Sequence, residues 1–149
     1  MVGKKAKNKA VGISRGGKNT KIHALVDGLG NPLAFLLSSG NHHDSVYAVP
    51  LLRQIDLAGS NILGDKAYGA KVIRDYIDSQ SATYTIPPPN NVRDPWSVDW
   101  YTYKERHLVE CFFQKLKWFR RIFTRYDKSD TSFLAFIHVA VAAITILLK

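Results

Sequence analysis

The chain has 149 residues, 46% of them hydrophobic, and a formal net charge of +9. That length supports one domain with a real core, and the composition argues against disorder away from the ends. The excess of cations points to a polyanionic partner, most commonly nucleic acid, and the single cysteine, Cys111, excludes an internal disulfide and a multi-cysteine metal site.

Residues 1–21 carry seven Lys or Arg and no acid. With Gly3, Gly12, Gly16 and Gly17 among them, residues 1–19 read as a basic flexible arm. Such an arm is either a solvated tail or a device for neutralising phosphates. A lysine-rich start with no apolar run behind it is not a secretory signal. Together with the lone cysteine, this fits a reducing cytoplasm.

Residues 20–27 alternate at Ile22, Ala24 and Val26, and residues 32–39 form a second apolar run. The turn-forming residues between them predict a β-hairpin, with Asp27 shaping the turn rather than acting in catalysis. His42 and His43 are adjacent, and nothing else is spaced to complete a metal site with them. Asp44 reads as the N-cap of a helix that includes Pro50 in or near its first turns.

A short strand over residues 61–64 leads to Asp65, and residues 68–79 show helical spacing at Val72, Ile73, Tyr76 and Ile77. A carboxylate at the C-terminal end of a strand sits where α/β sheets place reactive groups. It is also where helices take their caps, so position alone leaves both roles open for Asp65. Residues 82–86 form another strand, ended by Pro87, Pro88 and Pro89. Trp96, in the polar loop that follows, is expected as a buried anchor rather than a base-stacking residue.

A long amphipathic helix is expected from near Trp100 to about Arg121. At about 100° per residue, Tyr103, Arg106, Glu110 and Lys117 project within about 60° of one another. Leu108, Val109, Phe112, Leu116 and Phe119 point the opposite way. The polar face, taken alone, fits either a solvated surface with intrahelical ion pairs or a binding face. Arg120, Arg121 and Arg125 extend the positive charge. After a break, residues 131–148 read as a terminal helix. It is strongly apolar but shorter than the usual ~20-residue membrane span, and it is expected to be buried rather than a membrane anchor. Residues 20–149 therefore form one domain.

The spacing Tyr-x2-Arg-x3-Glu-x6-Lys from Tyr103 to Lys117 resembles the Y-R-E-K signature of bacterial insertion-sequence transposases of the DDE type. Three other blocks resemble the same family in the same order: SRGGKNTKIHALVDGLG at residues 14–30, GDKAYG at residues 64–69 and TRYDKSDTSFLAFIHVA at residues 124–140. The resemblance implies an α/β ribonuclease H-like fold and metal-dependent cleavage and strand transfer of DNA. It assigns Asp65 and Glu110 as catalytic carboxylates that hold Mg²⁺ or Mn²⁺. It also implies DNA contacts from Tyr103, Arg106, Lys117, Arg120, Arg121 and Arg125. The partners it implies are the terminal repeats of the element and target DNA, handled by a homo-oligomer at the nucleoid of the bacterial cytoplasm.

The family's first catalytic Asp lies before the first of these blocks, and no Asp here precedes Asp27. The expected fold is therefore incomplete, lacking the central strand that bears that residue. A truncated chain, or one that works with an upstream transposase segment, is the corresponding expectation. The alternative is a non-catalytic DNA-binding or regulatory fragment.

Overall fold

A computed structural model describes residues 12–14, 17–124 and 129–147. Its first elements are strands β1 (Gly12–Ser14), β2 (Gly17–Val26) and β3 (Pro32–Ser39), paired antiparallel in the order β1-β2-β3. β2 therefore begins earlier than its apolar alternation indicates. Asn19 aligns with Gly12 of β1, and Thr20 aligns with Ser39 of β3. Strand structure thus reaches into the stretch expected as a flexible arm.

The β2–β3 turn forms as expected. The Asp27 carboxylate accepts hydrogen bonds from the backbone N–H groups of Leu29 and Asn31, each at 2.8 Å, and from the Asn31 amide. Burial opposes ionisation here, but these hydrogen bonds outweigh it and hold the carboxyl below its usual range. Gly30 closes the turn at φ +80°, a conformation that favours a residue without a Cβ.

The period of two along β2 gives the hairpin two working faces. Ile22, Ala24 and Val26 pack with Leu37 against one core. Leu25 packs against a second core. Lys21 and His23 alternate with Ile22 and Ala24, and both contact the segment that starts helix α1 (Ser45–Leu52). Lys21 pairs with Asp44 at 2.8 Å, and His23 stacks on Tyr47 at 4.7 Å. Asp44 does occupy the N-cap position, but its side chain makes no cap hydrogen bond. The Asp44 backbone is already helical (φ −63°, ψ −34°), which takes its side chain out of capping geometry, and the carboxylate pairs with the Lys21 ammonium instead.

Strand β4 (Asn61–Leu63) pairs parallel with β5 (Thr83–Thr85), and helix α2 (Lys71–Ser79) makes the crossover. Ile73 and Ile77, four residues apart, put one face of α2 into the second core with Ala48, Leu52, Leu57, Ala82 and Ile86. Burying each such isoleucine contributes about 1.5–3 kcal/mol.

The expected long helix is interrupted. It comprises α3 (Trp100–Tyr103), a 3-10 turn (Lys104–Arg106), α4 (His107–Lys117) and α5 (Arg120–Thr124). Trp118 and Phe119 bond three residues back, to Lys115 and Leu116. That tightening ends α4 and lets Phe119 and Ile122 return to the first core. Helix α6 (Asp130–Leu147) completes this core with Phe133, Ile137, Ala140 and Ile144, spaced to share one helix face. No helix among the described residues is long and apolar enough to cross a membrane.

The architecture is mixed α/β. Its described strands lie in two separate sheets, one antiparallel and one parallel.

Candidate active site

Asp65 lies two residues beyond the end of β4, after Gly64, and caps the 3-10 turn Lys66–Tyr68. Its carboxylate accepts a hydrogen bond from the Ala67 backbone at 2.8 Å. The cap and the exposed strand end are therefore one feature, and both roles that the sequence left open remain compatible. Close packing shapes this corner. A Cβ on Gly69 would lie 2.9 Å from Cδ of Pro89 and 3.1 Å from the carbonyl oxygen of Pro87. Glycine here lets the Pro87–Pro89 run cross directly behind the turn. Tyr68 is half-buried beneath it. Burial, and then the negative charges of Asp44 and Asp65, push its hydroxyl up to about 12.

The loop after Pro89 is pinned by Trp96. Its indole N–H donates to the carbonyl of Ile86 at 2.8 Å, and the Arg74 guanidinium lies 4.0 Å from its ring centroid. Trp96 anchors the loop, but it is half-buried rather than buried as its sequence context predicts. The chain then enters α3, where Asp99 accepts from the backbone N–H groups of Tyr101 and Thr102. This cap fixes Trp100 and Tyr103 opposite the Asp65 turn. A cleft of about 380 Å³ lies between them, lined by Asp65, Lys66, Ala67, Pro87, Trp100 and Tyr103.

Three of the four signature residues are in contact. Arg106 donates to the Glu110 carboxylate at 2.6 Å, and its guanidinium sits 5.7 Å from the Tyr103 ring centroid. Glu110 lies about 10 Å beyond Tyr103 along the helical path and is not among the residues lining the cleft. Lys117 is exposed in the last turn of α4, and Arg120 is exposed on α5. The Arg121 guanidinium lies 5.0 Å from the Phe136 ring centroid. Arg125 falls outside the described residues, as do residues 1–11.

Carboxylates are the right donors for Mg²⁺ or Mn²⁺, which prefer oxygen ligands. Asp65 and Glu110 fit such an ion in kind but not in number. Among the described residues no group of three or more His, Cys, Asp or Glu is arranged to hold a metal. His42 is engaged elsewhere, with its Nδ1 2.6 Å from the Tyr47 hydroxyl.

A family model for the transposase DDE domain matches residues 3–145. The chain is a member of that family. It is similar to a putative transposase for insertion sequence element IS6501 from Brucella ovis, with 40% identity over 126 residues. The match spans 84% of this chain and 96% of that relative. No solved structure matches.

Reading the transposase from sequence missed four cleft-lining residues: Lys66, Ala67, Pro87 and Trp100. A signal for Trp100 was present, since it directly follows a capping Asp and so occupies a fixed first helical position. Pro87 carried no such signal, because its place depends on the approach permitted at Gly69.

Proposed function

We propose that this transposase domain cleaves DNA at the ends of an insertion sequence and transfers the strand to a target, using Mg²⁺ or Mn²⁺. The observation that carries this reading is the cleft with Asp65 on one wall and Tyr103 on the other, adjoining the Arg106–Glu110 pair. Asp65 and Glu110 serve as the catalytic carboxylates. Arg106 offers a planar fork to a phosphate next to the reacting one, and Tyr103 holds that guanidinium in place. Lys117, Arg120, Arg121 and Arg125 neutralise the backbone further along. Divalent ions, when bound, would supply charge stabilisation at the attacking and leaving oxygens.

The ribonuclease H-like sheet is completed, in this reading, by a strand from an upstream segment or a separate polypeptide. Two features support it. Among the described residues β4 pairs on one side only, with β5, and the two sheets are not joined to each other. Among the described residues no third carboxylate joins the donor set. The active form would be a homo-oligomer assembled on DNA in the bacterial cytoplasm, at the nucleoid. The same shortage of carboxylates favours the second reading, a non-catalytic DNA-binding or regulatory fragment.

The deciding experiment incubates the purified chain and Mg²⁺ or Mn²⁺ with a duplex ending in the cognate repeat. Cleavage should be absent or slow. It should return on adding a segment that carries a β-strand ending in Asp, and Asp65→Asn should then lower the rate by about 10²–10³ or more. Binding without cleavage, even with the added segment, would favour the regulatory reading. Brisk cutting by the chain alone would show that the carboxylate set is already complete.

A further inference from the structure

Two of the three tryptophans have protein partners. Trp96 donates its indole N–H to the Ile86 carbonyl and lies beneath Arg74, and Trp100 meets Tyr103 edge-to-face. Trp118, the C-cap residue of α4, has neither kind of contact. It is 70% exposed, and among the described residues its side chain makes no hydrogen bond and no ring contact. At about 100° per residue it shares an exposed stripe of α4 with Cys111 and Gln114, more than about 100° away from the buried Phe112 and Leu116. Burying an indole is among the larger apolar gains open to a fold, and here it is forgone.

The surroundings are cationic. Between Glu110 and Asp127 the sequence holds five cations and no acid. Lys117 and Arg120 stand on either side of Trp118 in the chain. Both are exposed, and neither has an ion pair among the described residues. These charges decide what covers the ring. A second copy of the same face would set cation against cation. An apolar protein surface would bury the cations with no counter-charge. Nucleic acid supplies both halves, with phosphates for the cations and the apolar edge of a sugar for the indole.

Position narrows the contact further. Trp118 lies about 12 Å beyond Glu110 along the helix axis. At about 3.4 Å per base-pair step, a duplex running beside α4 meets the ring about three to four pairs from the phosphate at Glu110.

We propose that Trp118 is a contact to the body of the DNA duplex, its ring laid against a sugar edge while Lys117 and Arg120 hold the flanking phosphates. The inference rests on the reading of the domain as one that processes DNA. It adds a non-ionic contribution to a surface otherwise read as electrostatic, and it places that contribution away from the DNA end.

The test is a fluorescence-anisotropy titration of the full-length chain with a duplex closed by a hairpin loop at both ends, repeated over a salt series. Trp118→Ala should weaken binding by about 5-fold or more at every salt concentration. The slope of log affinity against log salt should not change, because no cation has been removed. Trp118→Phe should recover part of the loss, and circular dichroism should show all three proteins equally folded. Unchanged affinity in Trp118→Ala would overturn the inference, as would a changed slope or a loss seen only on duplexes with free ends. Wild-type DNA affinity combined with weakened self-association in sedimentation would overturn it too, by giving the ring to a second copy of the chain. Absence of any DNA binding by the wild type would instead overturn the functional reading on which it rests.

Discussion

Replacing Gly69 by alanine tests whether the close crossing behind Asp65 is as tight as its geometry. The backbone there has φ −74° and ψ 9°, which alanine adopts without strain, so the whole cost is contact. The new Cβ would lie 2.9 Å from Cδ of Pro89, 3.1 Å from the Pro87 carbonyl oxygen and 3.2 Å from the Lys66 carbonyl oxygen. None of these atoms can rotate away, because two are backbone and one belongs to a proline ring. Overpacking of this kind costs about 1–3 kcal/mol. For a chain of 149 residues the unfolding entropy is roughly 0.3 kcal/mol per degree, so Tm should fall by about 3–10 °C. Gly28→Ala is the matched control, since a Cβ there meets nothing within 4 Å. Urea unfolding of both variants gives the difference directly. If Gly69→Ala unfolds within about 0.5 kcal/mol of Gly28→Ala, the crossing is not tightly packed and the placement of Pro87 in the cleft wall loses its basis.

Two further outcomes are expected. DNA affinity should fall steeply between 50 and 200 mM salt, and neutralising Lys117 and Arg120 together should reduce the slope of log affinity against log salt by about 1.8, on a fluorescence-anisotropy titration; an unchanged slope would remove these residues from the interface. Burial lowers the folded pKa of His23, with Asp44 opposing and Lys21 reinforcing that effect, so the native state favours the neutral ring. Its contribution is present above the unfolded value of about 6.5 and is lost as pH falls through the lower folded value, where the unfolded chain binds the extra proton. The urea midpoint should therefore drop between pH 7.5 and 5.5, and His23→Gln should flatten that drop; an identical drop in the variant would refute the assignment.

Much of this was legible in the sequence because it is local. The hairpin follows from alternation at Ile22, Ala24 and Val26 and from the turn chemistry of Asp27 and Gly30. Helix α2 follows from the spacing of Ile73 and Ile77. The shared contacts of Tyr103, Arg106 and Glu110 follow from helical rotation. What could not be read depended on distant partners. Asp44 looks like a cap until Lys21, 23 positions earlier, reaches its carboxylate. The helix from Trp100 looks continuous until Phe119 and Ile122 turn back to the core. Pro87 and Lys66 reach the cleft only through tertiary packing around Gly69.

The two cores have a consequence for when the Asp65 turn and the Glu110 helix are in place together. The Asp65 turn rests on the second core through Ile62, Tyr68 and Ile86. The Glu110 helix rests on the first through Phe112 and Leu116. Between them runs β2, with Ile22, Ala24 and Val26 serving one core and Leu25 the other. Separate cores are natural units of sub-global opening, each with its own exchange protection. Where they open independently, the fraction of molecules with both the Asp65 turn and the Glu110 helix in place is the product of two folded populations. Amide exchange in α2 and α4 reports those populations separately, and β2, serving both, sets the coupling between them.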